Sequence, residues 1–238
     1  MIKKGIKKFL IKYLPKSVVN DYNEARGGDN IYFSQEGEDI VLDRFFEGKL
    51  NGFYVDIGSH HPIRFSNTYK FYLKGWQGIN VDATPGSMKP FNELRERDIN
   101  LEIGISENEG EMIYHLFDEP ALNTFSTESV DFLLSTTTYK LKEKVIVKTK
   151  TLQQILKQYL PSNQSIDFLS IDVEGLDYMI LATNDWTEYR PKMLLVEDLA
   201  SSLENSVKSM VYKLMQKNNY EMYARTGNTL FLKDSLIK

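Results

Sequence analysis

The chain has 238 residues, of which 42% are hydrophobic, enough for one α/β domain with a sizeable core. Its formal charge of -4 excludes the strongly basic surface typical of nucleic-acid-binding domains, so no nucleic-acid partner is expected. The lack of cysteine excludes disulfides and zinc–thiolate sites, and no apolar run reaches the ~18 residues of a membrane span.

The chain opens with a lysine-rich stretch, MIKKGIKKFLIKYLPK, whose apolar residues follow Ile2 at i+4, i+7, i+8, i+11 and i+12. This spacing predicts a basic amphipathic helix, and the lysines interrupt any core that a secretory signal would need. The helix could attach a cytoplasmic protein to the anionic inner face of a membrane, or could simply pack on the domain. We expect residues 1–28 to form this helix and a linker, and residues 29–238 to form the main domain.

The next predicted elements are a helix from Phe33 to Glu47, with Ser34 as its N-cap, and a strand–helix–strand unit from Asn51 to Asp82. The apolar residues of FYVDIG are contiguous, which is typical of a parallel strand covered on both faces. GINVD predicts a second buried strand, which ends in an acid. Because small ligands bind beyond the carboxyl ends of parallel strands, we expect Asp56, Gly58 and Asp82 at a ligand site.

The turn after the first strand restricts what that ligand can be. It contains Gly58, followed by Ser59, His60 and His61, whereas a dinucleotide pyrophosphate normally requires three glycines here. An acid at the turn would also repel phosphate. A ligand with a ribose and a positive charge but no phosphate fits better, and S-adenosylmethionine (SAM) is such a ligand. Asp82 would accept the ribose hydroxyls, although a strand-end turn of any α/β protein is the alternative.

The middle of the chain predicts a helix after Asp82, a third strand in INLEIGIS and an edge strand in GEMIYHLF. We interpret Asp118 to Glu143 as a loop or flap over the carboxyl ends of the strands. The sequence from Val145 to Val147 predicts a short strand. TLQQILKQYLP has the spacing of an amphipathic helix.

A second group of acids follows from Ser165 onward. DFLSID predicts a buried strand with Asp172 at its carboxyl end and Glu174 in the turn behind it. PKMLLVED predicts another strand, ending in Glu197 and Asp198. If these strands are neighbours in the sheet, the four acids lie close together.

The chain ends with a predicted helix from Ser201 to Lys217 and a hairpin in YEMYARTGNTLFLK, around Thr226-Gly227-Asn228. The predicted fold class is therefore α/β, with a mostly parallel sheet and a C-terminal antiparallel hairpin strand.

Five segments carry a family resemblance: SQEGED at Ser34–Asp39, GFYVDIGSHHP at Gly52–Pro62, FSNTYKFYLKGWQGINVDATPGS at Phe65–Ser87, ALNTFS at Ala121–Ser126 and IDFLSIDVEGLD at Ile166–Asp177. With them the chain resembles the FkbM family of SAM-dependent methyltransferases, from about Phe33 onward. The resemblance implies a Rossmann-like class I methyltransferase fold and methyl transfer from SAM, commonly to a hydroxyl of a sugar or secondary metabolite. Bacterial members of this kind often act in surface glycan synthesis.

The resemblance also implies roles for individual residues. Asp56 and Gly58 match the first SAM motif, Asp82 matches the ribose-binding acid, and Asp172, Glu174 and Gly175 match the D-V-E-G segment. We expect the cofactor contacts to be those first three residues together with Gln35 and Ser59. Other members often have K-I-D-V-E-G where this chain has Ser170, so a role resting on that lysine cannot be transferred.

Methyl transfer to a hydroxyl requires alignment of the acceptor and removal of a proton. The candidate bases at the strand ends are His60, His61, Asp172 and Glu174, and we favour His61 because it closely follows Gly58. The two histidines could instead be turn residues bonded to backbone. A Mg²⁺ ion held by Asp172, Glu197 and Asp198 is the alternative means of activating the hydroxyl, and those acids could also bond loop amides.

Two other classes of protein stay open at this stage. A nicotinamide-dependent oxidoreductase would share the strand–helix–strand unit, although the missing glycines argue against it. A noncatalytic glycan or membrane adaptor would retain only the fold, and we would then expect the carboxylates at the strand ends to be lost.

Overall fold

The computed structural model describes residues 31–200 and 202–237. The predicted N-terminal amphipathic helix and the predicted boundary after residue 28 lie outside these residues. Within the described part of the chain, no helix is both long and apolar enough to cross a membrane.

Strands and short helices alternate along the described chain. The helices are α1 (Glu38–Phe45), α2 (Tyr69–Leu73), α3 (Met88–Leu94), α4 (Thr127–Thr136), α5 (Leu152–Tyr159), α6 (Asp177–Ala182), α7 (Leu203–Ser206) and α8 (Met210–Lys217). The strands are β1 (Phe53–Ile57), β2 (Gln77–Asp82), β3 (Ile99–Glu102), β4 (Gly104–Ile105), β5 (Gly110–Phe117), β6 (Leu141–Lys150), β7 (Phe168–Ile171), β8 (Met193–Glu197), β9 (Tyr220–Thr226) and β10 (Thr229–Asp234).

The larger sheet has seven strands in the order β3-β2-β1-β7-β8-β10-β9. β1 pairs in parallel with β2 and β7, and β7 pairs in parallel with β8, whereas β10 runs antiparallel to β8. The predicted α/β class, the mostly parallel sheet and the antiparallel hairpin strand are confirmed. Because the chain order reverses at β1, a crevice is expected beyond the carboxyl ends of β1 and β7.

The core lies on both faces of this sheet, which explains the contiguous apolar residues of β1. All five residues of β1 are buried. Val55 and Ile57 pack in one apolar cluster with α5, and Tyr54 packs in a second cluster with Trp76 and Phe168. Truncation of such an aromatic core residue to alanine typically costs about 3–5 kcal/mol, so this packing fixes the positions of the strand ends.

The predicted third strand is divided between two sheets. β3 pairs with β2, but the chain then turns and β4 pairs with β6 in a second sheet of order β4-β6-β5. GEMIYHLF is an edge strand, as predicted, but it belongs to this smaller sheet. Local periodicity does not say which strand will be the partner, so it could not reveal the division.

Two other predicted regions differ from the structure. The segment interpreted as a loop contains α4, which begins at a cap where the Ser126 hydroxyl accepts a bond from Ser129 N. It also contains the start of β6, which is ten residues long rather than three. The predicted helix from Ser201 to Lys217 is two helices, because the Ser209 hydroxyl caps a new one at Tyr212 N.

The predicted N-cap of the first helix is also wrong. Ser34 lies before the helix, and its hydroxyl donates to Asp39 Oδ1 at 3.0 Å. The N-cap of α1 is Gly37, whose φ of 86° lies in the left-handed region that glycine adopts readily.

A fully buried arginine connects the first two strands to the end of α3. The Arg95 guanidinium donates to Asp98 Oδ2 at 2.9 Å, Tyr54 Oη at 2.8 Å, Thr68 Oγ1 at 2.9 Å and Pro62 O at 3.0 Å. Asp98 also accepts from Tyr54 Oη at 2.7 Å, Asn80 Nδ2 at 2.9 Å and Gly78 N at 2.9 Å. A buried ion pair is tolerated only when its remaining donors and acceptors are satisfied, and here most of them are.

We predict that Arg95→Leu lowers the free energy of unfolding by about 3–5 kcal/mol, because it leaves the Asp98 carboxylate buried without its cation. Urea denaturation followed by circular dichroism measures this. Arg44→Leu on the exposed surface of α1 is the control and should change the value by less than about 0.5 kcal/mol. Equal effects of the two substitutions would show that the buried pair has no special role.

Candidate functional site

A cleft of about 740 Å³, open to solvent, lies at the carboxyl ends of β1, β2 and β7. The carboxyl ends of parallel strands are where small ligands bind in open α/β sheets. The described residues that line it include the acids Glu38, Asp82, Asp172 and Glu174, and none of them is a lysine or an arginine. The cleft is therefore strongly acidic.

The cleft brings together many of the predicted site residues. Those that line it are Gln35, Gly58, His60, Asp82, Asp172 and Glu174. Asp56, Ser59 and His61 are not among the lining residues. Their predicted roles stay predictions.

Gly58 follows β1 directly, at a point where no side chain fits. Its φ is 80°, and a Cβ added there would lie 1.8 Å from the carbonyl oxygen of Asp172. Gly58 N donates to Val81 O at 2.9 Å, and Asp172 N donates to Ile57 O at 3.0 Å. The ends of β1, β2 and β7 are therefore held in direct backbone contact, which requires glycine at this position.

Asp82 ends β2 and presents an oriented carboxylate to the cleft. Its Oδ2 accepts from His60 N at 2.9 Å, and its Oδ1 accepts from Thr84 N at 2.7 Å. An ionised carboxylate has about four lone-pair sites, so roughly two are left for a ligand. The side chain is 7% exposed, and its two backbone donors fix its direction. This geometry suits the acceptance of two neighbouring hydroxyls.

Asp56 lies in β1 beneath this surface. It is 5% exposed and accepts a bond from Thr68 Oγ1 at 3.0 Å, and Thr68 in turn accepts one from Arg95. Burial raises the pKa of Asp56 to about 6, although the nearby Arg95 charge opposes the shift. Asp56 thus links the buried arginine to the strand end that carries Gly58.

The two adjacent histidines have different surroundings. His61 Nδ1 accepts from Ile63 N at 3.0 Å and from Arg64 N at 2.9 Å, so the ring stabilises its own turn. His60 lines the cleft, and burial lowers its pKa from the usual value. Its Nε2 lies 3.4 Å from Arg64 Nη1. Of the two histidines, His60 lines the cleft and His61 does not.

Three lining residues have backbone conformations that side chains disfavour. His60, Phe65 and Glu174 have φ values of 52°, 56° and 51°. Non-glycine residues in this region carry strain that the surrounding structure must impose, and such residues are concentrated at functional sites. For Glu174, the constraint comes from its carbonyl oxygen, which accepts from Thr124 Oγ1 and Ser129 Oγ, both at 3.1 Å.

Four acids behind and within the cleft repel one another. Burial, followed by this mutual repulsion, raises the pKa of Glu174 to about 8, of Asp177 to about 7 and of Glu197 to about 9. Burial also raises the pKa of Asp172 to about 6, with Glu38 adding repulsion. A cation in the cleft would relieve this repulsion and restore the charged forms.

A smaller apolar cavity of about 350 Å³ adjoins the cleft and shares Gly58 and Asp82 with it. Its walls include Ala83 and Ile103, which follow β2 and β3, and Phe125, whose ring lies 4.5 Å from that of Tyr114. The site as a whole therefore has an acidic part and a neighbouring apolar part, joined at Asp82.

Comparison with known proteins places this arrangement in a family. The sequence model described as "Methyltransferase FkbM domain" matches residues 56–222. The chain belongs to this family. The matched residues contain most of the acids discussed above, from Asp56 through Glu197. The seven-stranded sheet of the chain, with one reversed strand, is the Rossmann-like arrangement that the resemblance implied.

A crystal structure of the methyltransferase FkbM from Methylobacillus flagellatus KT, at 2.20 Å resolution, is similar to this FkbM domain with 11% identity and a TM-score of 0.46. The similarity covers 77% of this chain and 44% of that one, so the chain spans less than half the length of this relative. A search of curated proteins for similar sequences gave no match.

Some residues that line the cleft were not predicted from the sequence. Glu38 lines the cleft from the start of α1, and its Oε1 accepts from Thr226 Oγ1 at 3.2 Å. Asn228 and Thr229 line it from the C-terminal hairpin. These segments are about 190 residues apart and meet because β10 inserts beside β8. The acids and the T-G-N turn were visible in the sequence, but their proximity was not.

The magnesium alternative gains no support from the FkbM domain geometry. Glu197 Oε1 accepts from Asn228 Nδ2 at 2.8 Å, and Asp198 does not line the cleft. Among the described residues, no three histidines or acids are grouped in a way that could hold a metal ion.

The raised pKa values predict that the ligand-free protein loses stability as the pH rises. An acid whose pKa is higher in the folded state keeps its proton while the unfolded chain has released it, so its stabilising contribution falls between about pH 4 and the folded pKa. With folded values of about 6 to 9, we expect Tm to fall between pH 6 and pH 9. Differential scanning fluorimetry at constant ionic strength measures it.

Glu197→Gln should make this fall in Tm smaller, because the group with the highest of these pKa values no longer titrates. Glu221→Gln, at a side chain that is 59% exposed, is the matched control and should leave the fall unchanged. A Tm that rises between pH 6 and pH 9 would contradict the prediction.

Proposed function

We propose that this FkbM domain transfers a methyl group from SAM to a hydroxyl of a sugar or a related polyol, such as a sugar of a bacterial surface glycan. The observation that carries the proposal is the charge of the cleft. Four acidic side chains and no lysine or arginine are found among its described lining residues, at the sheet position where nucleotide cofactors bind, and a bound cation would favour the ionised forms of these acids. A cationic cofactor without phosphate fits this charge, and a dinucleotide does not.

The residues present fit SAM in three ways. Asp82 has the oriented lone pairs that ribose hydroxyls require. The apolar cavity beside it, between Ala83, Ile103 and Phe125, suits an adenine ring. Glu38, Asp172 and Glu174 would stabilise positive charge in the cleft. When bound, SAM supplies an activated methyl group on a positively charged sulfur.

The remaining lining residues favour a neutral acceptor with several hydroxyls. Gln35, Asn67 and Asn228 present side-chain amides and Thr229 presents a hydroxyl, and each can donate and accept hydrogen bonds. An acceptor with a phosphate or carboxylate at the reacting end would be repelled by the four acids. Sugar hydroxyls match this lining, and the family resemblance points to the same class of acceptor.

The proton of the acceptor hydroxyl must be taken up by the protein, and we infer that His60 does this. Its lowered pKa keeps the imidazole neutral near pH 7, the form that accepts a proton. Glu174 is the second candidate, since it lines the cleft and its pKa is raised to about 8. His61 is less suited, because its Nδ1 already accepts two backbone bonds.

Incubation with methyl-labelled SAM and a panel of bacterial surface oligosaccharides tests the function directly. We expect the label on a sugar oxygen, located by NMR and mass spectrometry. Label on nitrogen or carbon would refute the acceptor class. Tight calorimetric binding of NADH with no binding of SAM would support the oxidoreductase alternative instead.

We predict that Asp82→Ala weakens SAM binding by roughly 10- to 150-fold, since loss of a charged hydrogen-bond acceptor costs about 1.5–3 kcal/mol. Isothermal titration calorimetry measures the change. Glu93→Ala is the matched control, because Glu93 is exposed on α3 and does not line the cleft. If the affinity of Asp82→Ala equals that of the control, the ribose assignment is incorrect.

The pH dependence of kcat/KM for SAM should identify the base, because it reports the pKa values of the free enzyme. A base acts when deprotonated, so with His60 kcat/KM reaches its plateau below the pH at which it would with Glu174, for which kcat/KM continues to rise through about pH 8. His60→Gln should reduce kcat by roughly 10²- to 10⁴-fold, the usual contribution of general base catalysis. SAM affinity should stay within a few-fold of the wild type.

His61→Asn is the control for this prediction, because an asparagine oxygen can still accept the backbone bonds of the turn. Its kcat should stay close to that of the wild type. Full activity of His60→Gln with a large loss in Glu174→Gln would transfer the role of base to the carboxylate.

A further inference from the structure

One face of the small sheet β4-β6-β5 carries a cluster of lysines, although the protein as a whole has a net negative charge. Alternate residues of β6 point to the same side, and this places Lys142, Lys144, Ile146 and Lys148 on one face. All four are exposed. Ile113 of β5 pairs directly with Ile146 and lies beside it. We call these five residues the lysine face.

The lysine face is not covered by the described part of the protein. Ile146 is 72% exposed and Ile113 is 55% exposed, although isoleucine is among the residues most often buried. Lys142, Lys144 and Lys148 form no ion pair with any residue that the structure describes. Val145 and Val147, on the opposite side of the strand, are half-buried. The lysines and isoleucines therefore face outward together.

We propose that the lysine face docks on the surface of an anionic lipid bilayer. Two adjacent exposed isoleucines surrounded by three lysines match both parts of such a surface, because the apolar side chains enter the boundary between headgroups and acyl chains while the lysines contact anionic headgroups. Each lysine near such a membrane increases binding by about fivefold. One acid, Glu111, pairs with Lys148 and reduces the net charge of the face, which stays positive.

Two other partners of the lysine face could come from the protein itself, and electrostatic repulsion disfavours both of them. A second copy of the same face would bring three lysines against three lysines. The first 16 residues contain six lysines, so they too would be repelled. The charge of the lysine face favours an anionic partner, and a lipid surface is anionic and also accepts exposed isoleucine side chains.

Co-sedimentation of the full-length protein with vesicles tests the proposal. We expect binding to phosphatidylcholine vesicles containing phosphatidylserine at low salt, release at 0.5 M salt, and little binding to phosphatidylcholine alone. Lys144→Glu/Lys148→Glu should weaken binding by at least about 25-fold. Lys213→Glu/Lys217→Glu, which makes the same charge change at exposed positions of α8, should weaken it by less than about threefold.

A second variant separates lipid from other anions. Ile113→Ser/Ile146→Ser keeps the charge, and we expect it to weaken vesicle binding by about tenfold while binding to soluble dextran sulfate is unchanged. The proposal is overturned if the wild type ignores anionic vesicles, if Lys144→Glu/Lys148→Glu binds them like the α8 control, or if the serine variant binds them like the wild type. The last result would indicate an acidic macromolecule as the partner. Melting curves of all variants should coincide, since every substitution is on the surface.

Discussion

The geometry of the cleft depends on the buried guanidinium of Arg95. Its donors bond Pro62 O and Thr68 Oγ1, which lie on the two sides of the loop that carries Phe65 into the cleft. Thr68 Oγ1 in turn donates a hydrogen bond to Asp56 Oδ2 in β1. A lysine could not replace this arginine, because an ammonium group has no planar fork of five donors. The strained loop therefore keeps its conformation through a network that itself has no contact with solvent.

The same cleft holds a group of acids that is unfavourable without a ligand. Burial and mutual repulsion raise the pKa values of Asp172, Glu174 and Glu197. The folded state therefore disfavours the ionised forms of these side chains. A cation bound in the cleft would favour the charged forms and relieve the repulsion that the folded chain maintains. Binding and proton release are therefore linked. Functional sites commonly contain such locally unfavourable interactions, and favourable interactions elsewhere in the fold offset their free-energy cost.

How much the sequence could predict depended on whether a feature is local. β1 was predicted correctly because burial on both faces makes its residues contiguously apolar. The division between β3 and β4 was not predicted. The two segments differ in their partner strands, and strand pairing is a non-local property. The sequence likewise placed His60 and His61 in one turn but could not show that His61 Nδ1 is already bonded to backbone. The contribution of Glu38 to the cleft required contact with a hairpin far along the chain.

Ser170 connects these observations to the chemistry. It lies on β7 opposite Asp56 of β1, is 3% exposed, and its hydroxyl accepts from Asn67 Nδ2 at 3.0 Å. Asn67 lines the cleft, so a long cationic side chain at position 170 would extend toward the acids around Asp172. Its charge would lower their pKa values and neutralise part of the cleft. With serine there, no cation at this position offsets the burial and repulsion that raise the pKa values of Asp172 and Glu174.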